Sequence, residues 1–155
     1  MKSFKAVRAG HIARSHGSFA ESMIRMSANK ENIVAIQIPT GAQIRKIQGR
    51  LVACPIRTPF DFVLYKVGKT VTLDIKFTEN TNFKYSLIVD HQVESLMRIQ
   101  QTNQTAGYLV FFEKCNRVVF YFASQLIALK PRESLKPDDG INIGSMLALN
   151  LSLLF

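Results

Sequence analysis

Asp61, Asp74 and Lys76 are the residues whose types and spacing could do chemistry. They lie in Thr58-Pro59-Phe60-Asp61-Phe62-Val63-Leu64-Tyr65, then Lys66-Val67-Gly68-Lys69, then Thr70-Val71-Thr72-Leu73-Asp74-Ile75-Lys76-Phe77. Both flanks are rich in Val, Thr, Phe and Tyr and alternate in polarity, which predicts a β-hairpin. A loop over Lys66 to Lys69, with Gly68 supplying a positive φ, sets the register. Tyr65 then pairs with Thr70, Leu64 with Val71, Phe62 with Leu73 and Asp61 with Asp74. Side chains alternate between the two faces of a strand. One face would carry Phe60, Phe62, Leu64, Val71, Leu73, Ile75 and Phe77, and the other Asp61, Asp74 and Lys76. Directly opposed Cβ atoms stand roughly 4.5–5.5 Å apart, and like charges there repel. A shared divalent cation is the simplest reason for two facing aspartates, with Lys76 beside it and beside anything it binds. The bland alternative is a solvated outer face with Lys76 as partial counter-ion. A one-residue slip would separate the aspartates, but it would also break the apolar inner face.

The elements around this hairpin must come from a chain of 155 residues, enough for one domain over 1–155. Twenty Lys and Arg face eleven Asp and Glu, a formal charge of +9. Such a basic domain suits a polyanionic partner, either nucleic acid or an anionic membrane surface. Cys54 and Cys115 form no metal-type spacing and suit a reducing cytosol. The basic start, Met1 to Ser18, has no apolar h-region, so a cytoplasmic protein is expected. The apolar tail 146–155 falls far short of the roughly 20 residues that span a bilayer. It is expected to cover a core edge or a dimer partner, and no membrane partner is expected.

Along the chain, residues 1–14 carry Lys2, Lys5, Arg8, His11 and Arg14 with little apolar pattern and read as a mobile basic arm. A first helix should start near Ser15 to Ser18 and run to about Lys30, with Phe19, Met23 and Met26 facing the core. Ile33 to Ile38 reads as a strand closed by Pro39-Thr40-Gly41. Residues 40–57 hold Arg45, Lys46, Arg50 and Arg57 and no acid. They read as a protruding basic arm, helical or hairpin-like, between the first two strands. After the acidic hairpin, Asp90 should cap a helix running to about Gln104, with Val93, Leu96 and Met97 buried. Gly107 to Phe112 and Arg117 to Phe122 should be strands joined by a turn at Glu113 to Asn116. Ser124 should cap a short helix ending near Leu129. This order predicts an α/β fold, a mixed central sheet flanked by helices. His11 and His16 sit in the loose start and are not read as ligands.

The combination resembles the PD-(D/E)xK nuclease superfamily, and within it Holliday junction resolvases of the RecU type, with archaeal resolvases as cousins. Gly17-Ser18-Phe19-Ala20-Glu21 resembles the family's first-helix segment. Pro39-Thr40-Gly41-Ala42-Gln43-Ile44 resembles the start of its stalk. Thr58-Pro59-Phe60-Asp61-Phe62 and Asp74-Ile75-Lys76 resemble its metal-binding hairpin, and Asp90-His91-Gln92 its histidine–glutamine pair. The likeness spans roughly Gly17 to Leu129. Asp74 stands where these resolvases more often carry Glu, and their long N-terminal extension has no counterpart here.

The resemblance implies a restriction-endonuclease-like core and a metal-dependent endonuclease nicking four-way DNA junctions. It implies Glu21 and the Ile75 carbonyl as metal ligands beside Asp61 and Asp74. Hard carboxylate oxygens suit Mg²⁺ or Mn²⁺. Lys76 would position or deprotonate a water, and Gln92 would orient that water or contact the phosphate. Arg45, Lys46, Arg50 and Arg57 would bind phosphates, and His91 would hydrogen-bond at its helix start or contact phosphate. Nicking two opposed strands implies a two-fold homodimer. Two other readings stay open: a same-fold nuclease for other branched or duplex DNA, and a non-catalytic binder of branched nucleic acid.

Overall fold

The hairpin lies at the heart of a seven-stranded mixed sheet. The structure is a computed structural model, and it describes residues 4–39, 41–55 and 58–155. In chain order the elements are α1 (Phe4–Lys30), β1 (Val34–Gln37), β2 (Ala42–Ile47), β3 (Arg50–Pro55), β4 (Phe62–Lys66), β5 (Lys69–Thr78), β6 (Phe83–Lys84), α2 (Asp90–Gln100), β7 (Thr105–Phe112), β8 (Arg117–Phe122), α3 (Ala123–Ile127), β9 (Ser134–Leu135), β10 (Ile141–Ser145) and β11 (Ala148–Leu149). The main sheet has the order β1-β4-β5-β7-β8-β10-β11. Its neighbours are antiparallel except β5 and β7, which run parallel. A parallel pair needs a crossover, and α2 lies within it. No described helix is long and apolar enough to cross a membrane.

Period-two alternation splits the sheet into two cores. Phe62, Leu64, Val71, Leu73, Leu109, Phe111, Val118 and Phe120 face the side covered by α1 and the tail. Tyr108, Val110, Phe112, Val119 and Tyr121 face α2 and α3. Gly107 is required where β7 meets β8, because a Cβ there would stand 1.9 Å from the Tyr121 carbonyl oxygen.

The hairpin register is as expected, with Tyr65 opposite Thr70, Leu64 opposite Val71 and Phe62 opposite Leu73. The loop is tighter than expected. Lys66 and Lys69 still pair, so only Val67 and Gly68 turn, at φ 45° and 74°. Positive φ at both positions is the turn whose twist matches a hairpin. Phe60 leaves the expected inner face and packs with the α2-side core, since it precedes β4 and is free of strand alternation.

Other boundaries shift. The first helix begins at Phe4, not near Ser15 to Ser18, so residues 4–14 continue α1. Its buried stripe is Ala20, Met23, Ile24, Ser27 and Ala28, while Met26 is 62% exposed. Met23 and Met26 are three apart, but the stripe drifts through Ala20, Ile24 and Ala28, at the i, i+4 spacing small and branched side chains need against a sheet. The helix α2 stops at Gln100, and Val89 is its N-cap with Asp90 in the first turn. The helix α3 starts at Ala123, while Ser124 bonds through its N–H and hydroxyl to the Gln100 side chain.

The basic segment is a hairpin. Strands β2 and β3 pair from Ala42 with Pro55 to Ile47 with Arg50, as a separate two-stranded sheet. The tail packs on the chain's own core: Leu149, Leu151 and Leu154 are buried there. Glu31, just past α1, accepts from the main-chain N–H groups of Leu151 and Ser152 at 2.9 and 2.7 Å. Lys66 Nζ donates to Ser152 Oγ at 2.5 Å.

Candidate active site

The site forms where β4 ends and β5 continues. Phe62 opposite Leu73 is the last pair, and β5 runs on to Thr78 with β7 on its other side. Beyond Leu73, the β4-side edge of β5 is open. Asp61 turns onto that edge. Its main-chain N–H donates to the Leu73 carbonyl at 3.1 Å, and its carboxylate accepts from the Ile75 N–H at 2.7 Å. Both main-chain polar groups of a strand residue point to the same side. The Ile75 carbonyl therefore faces the same edge as its N–H. The expected cross-strand pair of aspartates is thus modified: Asp61 lies before β4 and is fixed by the main chain of β5.

Asp74 faces the α2 side and is fully buried, although it is an acid. Gln92, in the first turns of α2, donates from Nε2 to Asp74 Oδ1 at 2.6 Å. Lys76 Nζ donates to Gln92 Oε1 at 2.8 Å. The same ammonium stands 2.6 Å from Asp74 Oδ2. That contact is a charge-assisted ion pair, so Gln92 and Lys76 take one carboxylate oxygen each. Burial lifts Asp74 from an ordinary 3.8 to about 7, opposed by Lys76 and reinforced by the Asp61 carboxylate. A carboxylate in that state is short of positive charge when ionised.

Glu21 joins this edge from α1. With His16, Gly17, Asp61, Ile75, Lys76 and Phe77 it lines a cavity of about 370 Å³. The structure thus brings Glu21, Asp61, Ile75, Asp74, Lys76 and Gln92 into one region. Among the described residues, no three His, Cys, Asp or Glu side chains are grouped so that they could hold a metal ion together. Mg²⁺ commonly binds through one or two carboxylates and keeps several waters, so a closed cage is not required.

The phosphate-contact candidates of the arm lie on a separate sheet from this cluster. Arg45, Lys46 and Arg50 are exposed on the hairpin arm. Opposed residues share a face, and Arg45 pairs with Val52 while Ile47 pairs with Arg50, so Arg45 and Arg50 share one face and Lys46 takes the other. Arg57 lies outside the described residues. His91 is half-buried in the first turn of α2, next to Gln92.

Two site residues escape a reading of the sequence. Tyr108 sits opposite Asp74 on β7. Lys76 Nζ stands 4.9 Å from its ring centroid, and its hydroxyl accepts from the Val89 N–H at 3.3 Å. Burial pushes the Tyr108 phenol upward, so it stays neutral and able to donate. Its place one strand away is visible only through the β5–β7 register. His16, which the sequence alone places in a loose start, lies on α1 and faces the cavity.

No curated relative matches the chain. Its fold is similar to that of Hjc from Archaeoglobus fulgidus, a Holliday junction resolvase from an archaeal hyperthermophile, at TM-score 0.55 and 15% identity over 79% of this chain and 93% of that one. That likeness supports the restriction-endonuclease-like architecture. Residues 15–145 match Recombination protein U, a span that holds the arm, the hairpin and the start of α2. The chain belongs to the RecU family of Holliday junction resolvases.

Proposed function

We propose that this chain nicks four-way DNA junctions with a divalent cation held at the open edge of β5. The observation that carries this reading is Asp74, a fully buried carboxylate with one ammonium, Lys76, on it and a second carboxylate, Asp61, close enough to raise its pKa. Two neighbouring carboxylates with a single lysine between them leave negative charge that a further cation would offset. The donors suit a hard cation: the neighbouring carboxylates of Asp61 and Asp74 with the Ile75 carbonyl on the open edge, and Glu21 across the cavity to meet the ion through water. Mg²⁺ or Mn²⁺ suits such oxygens. When bound, the ion supplies polarisation of the scissile phosphate and a water of lowered pKa.

The chain's own residues do the rest. Gln92 holds Asp74 with its amide N–H and Lys76 with its carbonyl, fixing both on one face. Lys76 lines the cavity as well as touching Asp74, so its charge can oppose the negative charge that grows on a phosphate in the transition state. Arg45, Lys46, Arg50 and His91 would contact phosphates, which fits selection by branched shape without sequence readout. Two opposed strands need two sites, so the working form is a two-fold homodimer.

The test is cleavage of an end-labelled four-way junction in Mg²⁺, beside linear duplex, flap and single strand, with EDTA and Asp74→Asn as controls. Paired symmetric nicks on the junction alone, lost in both controls, are expected. Asp74→Asn should keep its junction binding. Full cleavage by Asp74→Asn would sink the site. Cutting of the other substrates instead would keep a nuclease of another specificity, and binding without cutting would favour a non-catalytic role.

A further inference from the structure

We propose that His16 contacts the phosphodiester of the cleaved strand and holds it against the cation site from the α1 side. This rests on reading the cavity as a nuclease site. The placement begins with α1, which presents His16, Gly17 and Glu21 to the cavity opposite Asp61, Ile75, Lys76 and Phe77. The imidazole stacks on Phe77 with ring centroids 4.1 Å apart and planes 21° from parallel. Phe77 stacks in turn on Phe111, at 6.2 Å and 8°, and Phe111 is fully buried. The imidazole plane is therefore tied to the core through two rings. A stacked ring presents its face to its neighbour and its nitrogens to the side.

The other cavity-lining side chains narrow the choice of donor. Glu21 and Asp61 are acceptors when ionised, and Asp61 is engaged by the Ile75 N–H. Gly17, Ile75 and Phe77 offer no polar side-chain atom. Lys76 is engaged by Asp74 and Gln92, which leaves one N–H for the cavity. Among the described residues, His16 has no hydrogen-bond partner, which leaves it as the uncommitted side-chain donor of the cavity. Imidazole keeps at least one N–H donor in either protonation state. A phosphodiester entering between two carboxylates needs such donors on its non-bridging oxygens. Gly17 leaves the wall low beside His16, since a Cβ there would meet nothing within 4 Å. A nucleic-acid strand can approach the backbone at that point.

Two substitutions separate contact from packing. His16→Phe keeps a flat ring on Phe77 and removes both nitrogens. His16→Gln removes the ring and keeps an N–H donor. The measurements are the single-turnover nicking rate on saturating four-way junction in Mg²⁺, junction affinity in EDTA, and the thermal midpoint. His16→Phe should nick roughly tenfold to a hundredfold more slowly, the loss expected for one hydrogen bond to a charged group. Its midpoint should match wild type, its junction affinity should fall by less than its nicking rate, and His16→Gln should recover part of the rate. Wild-type nicking by His16→Phe would overturn the assignment while leaving the nuclease reading intact. Equal slowing of both variants with a lowered midpoint would reassign His16 to packing. A wild-type protein that nicks no junction would overturn the nuclease reading and this assignment with it.

Discussion

Lys76 Nζ lies 2.6 Å from Asp74 Oδ2, one ammonium against a buried acid that the Asp61 carboxylate also crowds. That single ammonium offsets one negative charge where two carboxylates stand close. Gln92 completes the arrangement by bridging the two residues from α2. The fold thus holds a buried acid that favours a second cation.

That acid makes stability depend on pH. Its folded pKa, about 7, is above its ordinary 3.8. Between these values the folded state binds the proton and the unfolded state has released it. Stability therefore falls as pH rises from about 4 to about 7, and each step of one in pH removes at most about 1.4 kcal/mol. Below about 4 the penalty is absent, and above about 7 it is complete. Urea unfolding in EDTA at pH 5 and pH 8 should show this loss, and Asp74→Asn should flatten it. Added Mg²⁺ should restore stability at pH 8, because it favours the ionised carboxylate.

Tyr108 should matter through both its hydroxyl and its ring. Tyr108→Phe leaves the Val89 N–H without its partner and should cost about 1–3 kcal/mol of stability. Its ring would still lie beneath Lys76, so nicking should fall only modestly. Tyr108→Leu also removes the cation–π contact, worth about 0.5–2 kcal/mol. It should slow nicking more than Tyr108→Phe at saturating junction. Equal nicking rates in the two variants would remove the ring from the account of Lys76.

The hairpin arm should contribute affinity that salt weakens. Lys46→Gln and Arg50→Gln should each lower the slope of log affinity against log salt by about 0.9 if each side chain contacts one phosphate. Nicking of fully bound junction should be unchanged. Titrations at several salt concentrations check this, and unaltered slopes in both variants would take the arm away from DNA.

The turn at Val67 stores strain that a substitution can release. Val67 is β-branched, 95% exposed and held at φ 45°. Asparagine tolerates that conformation and forms the favoured pair with Gly68. Val67→Asn should stabilise the protein by about 1 kcal/mol, raising the midpoint by roughly 2–4 °C for a chain of this size. Thermal unfolding measures this, and nicking should be unaffected.

What the sequence determined by itself was the hairpin and the chemistry on it. Alternation from Phe62 to Leu73 sets the register, because a slip of one residue would turn every apolar side chain outward. The Asp74-Ile75-Lys76 triplet, the acid-free arm and the order of elements are likewise local patterns. Tertiary structure decided which of these residues meet. Asp61 reaches the Ile75 N–H because β4 begins only at Phe62, a start that no local pattern marks. Gln92 reaches Asp74 because α2 packs across β5 and β7, and Tyr108 reaches Lys76 because β7 pairs in parallel register with β5. His16 lies in a stretch with no apolar stripe of its own, so its helix could not be read locally. Its place depends on α1 lying across the sheet with the imidazole on Phe77. Periodicity encodes which face of an element is buried, but the partner it is buried against is chosen by packing between segments far apart in the chain.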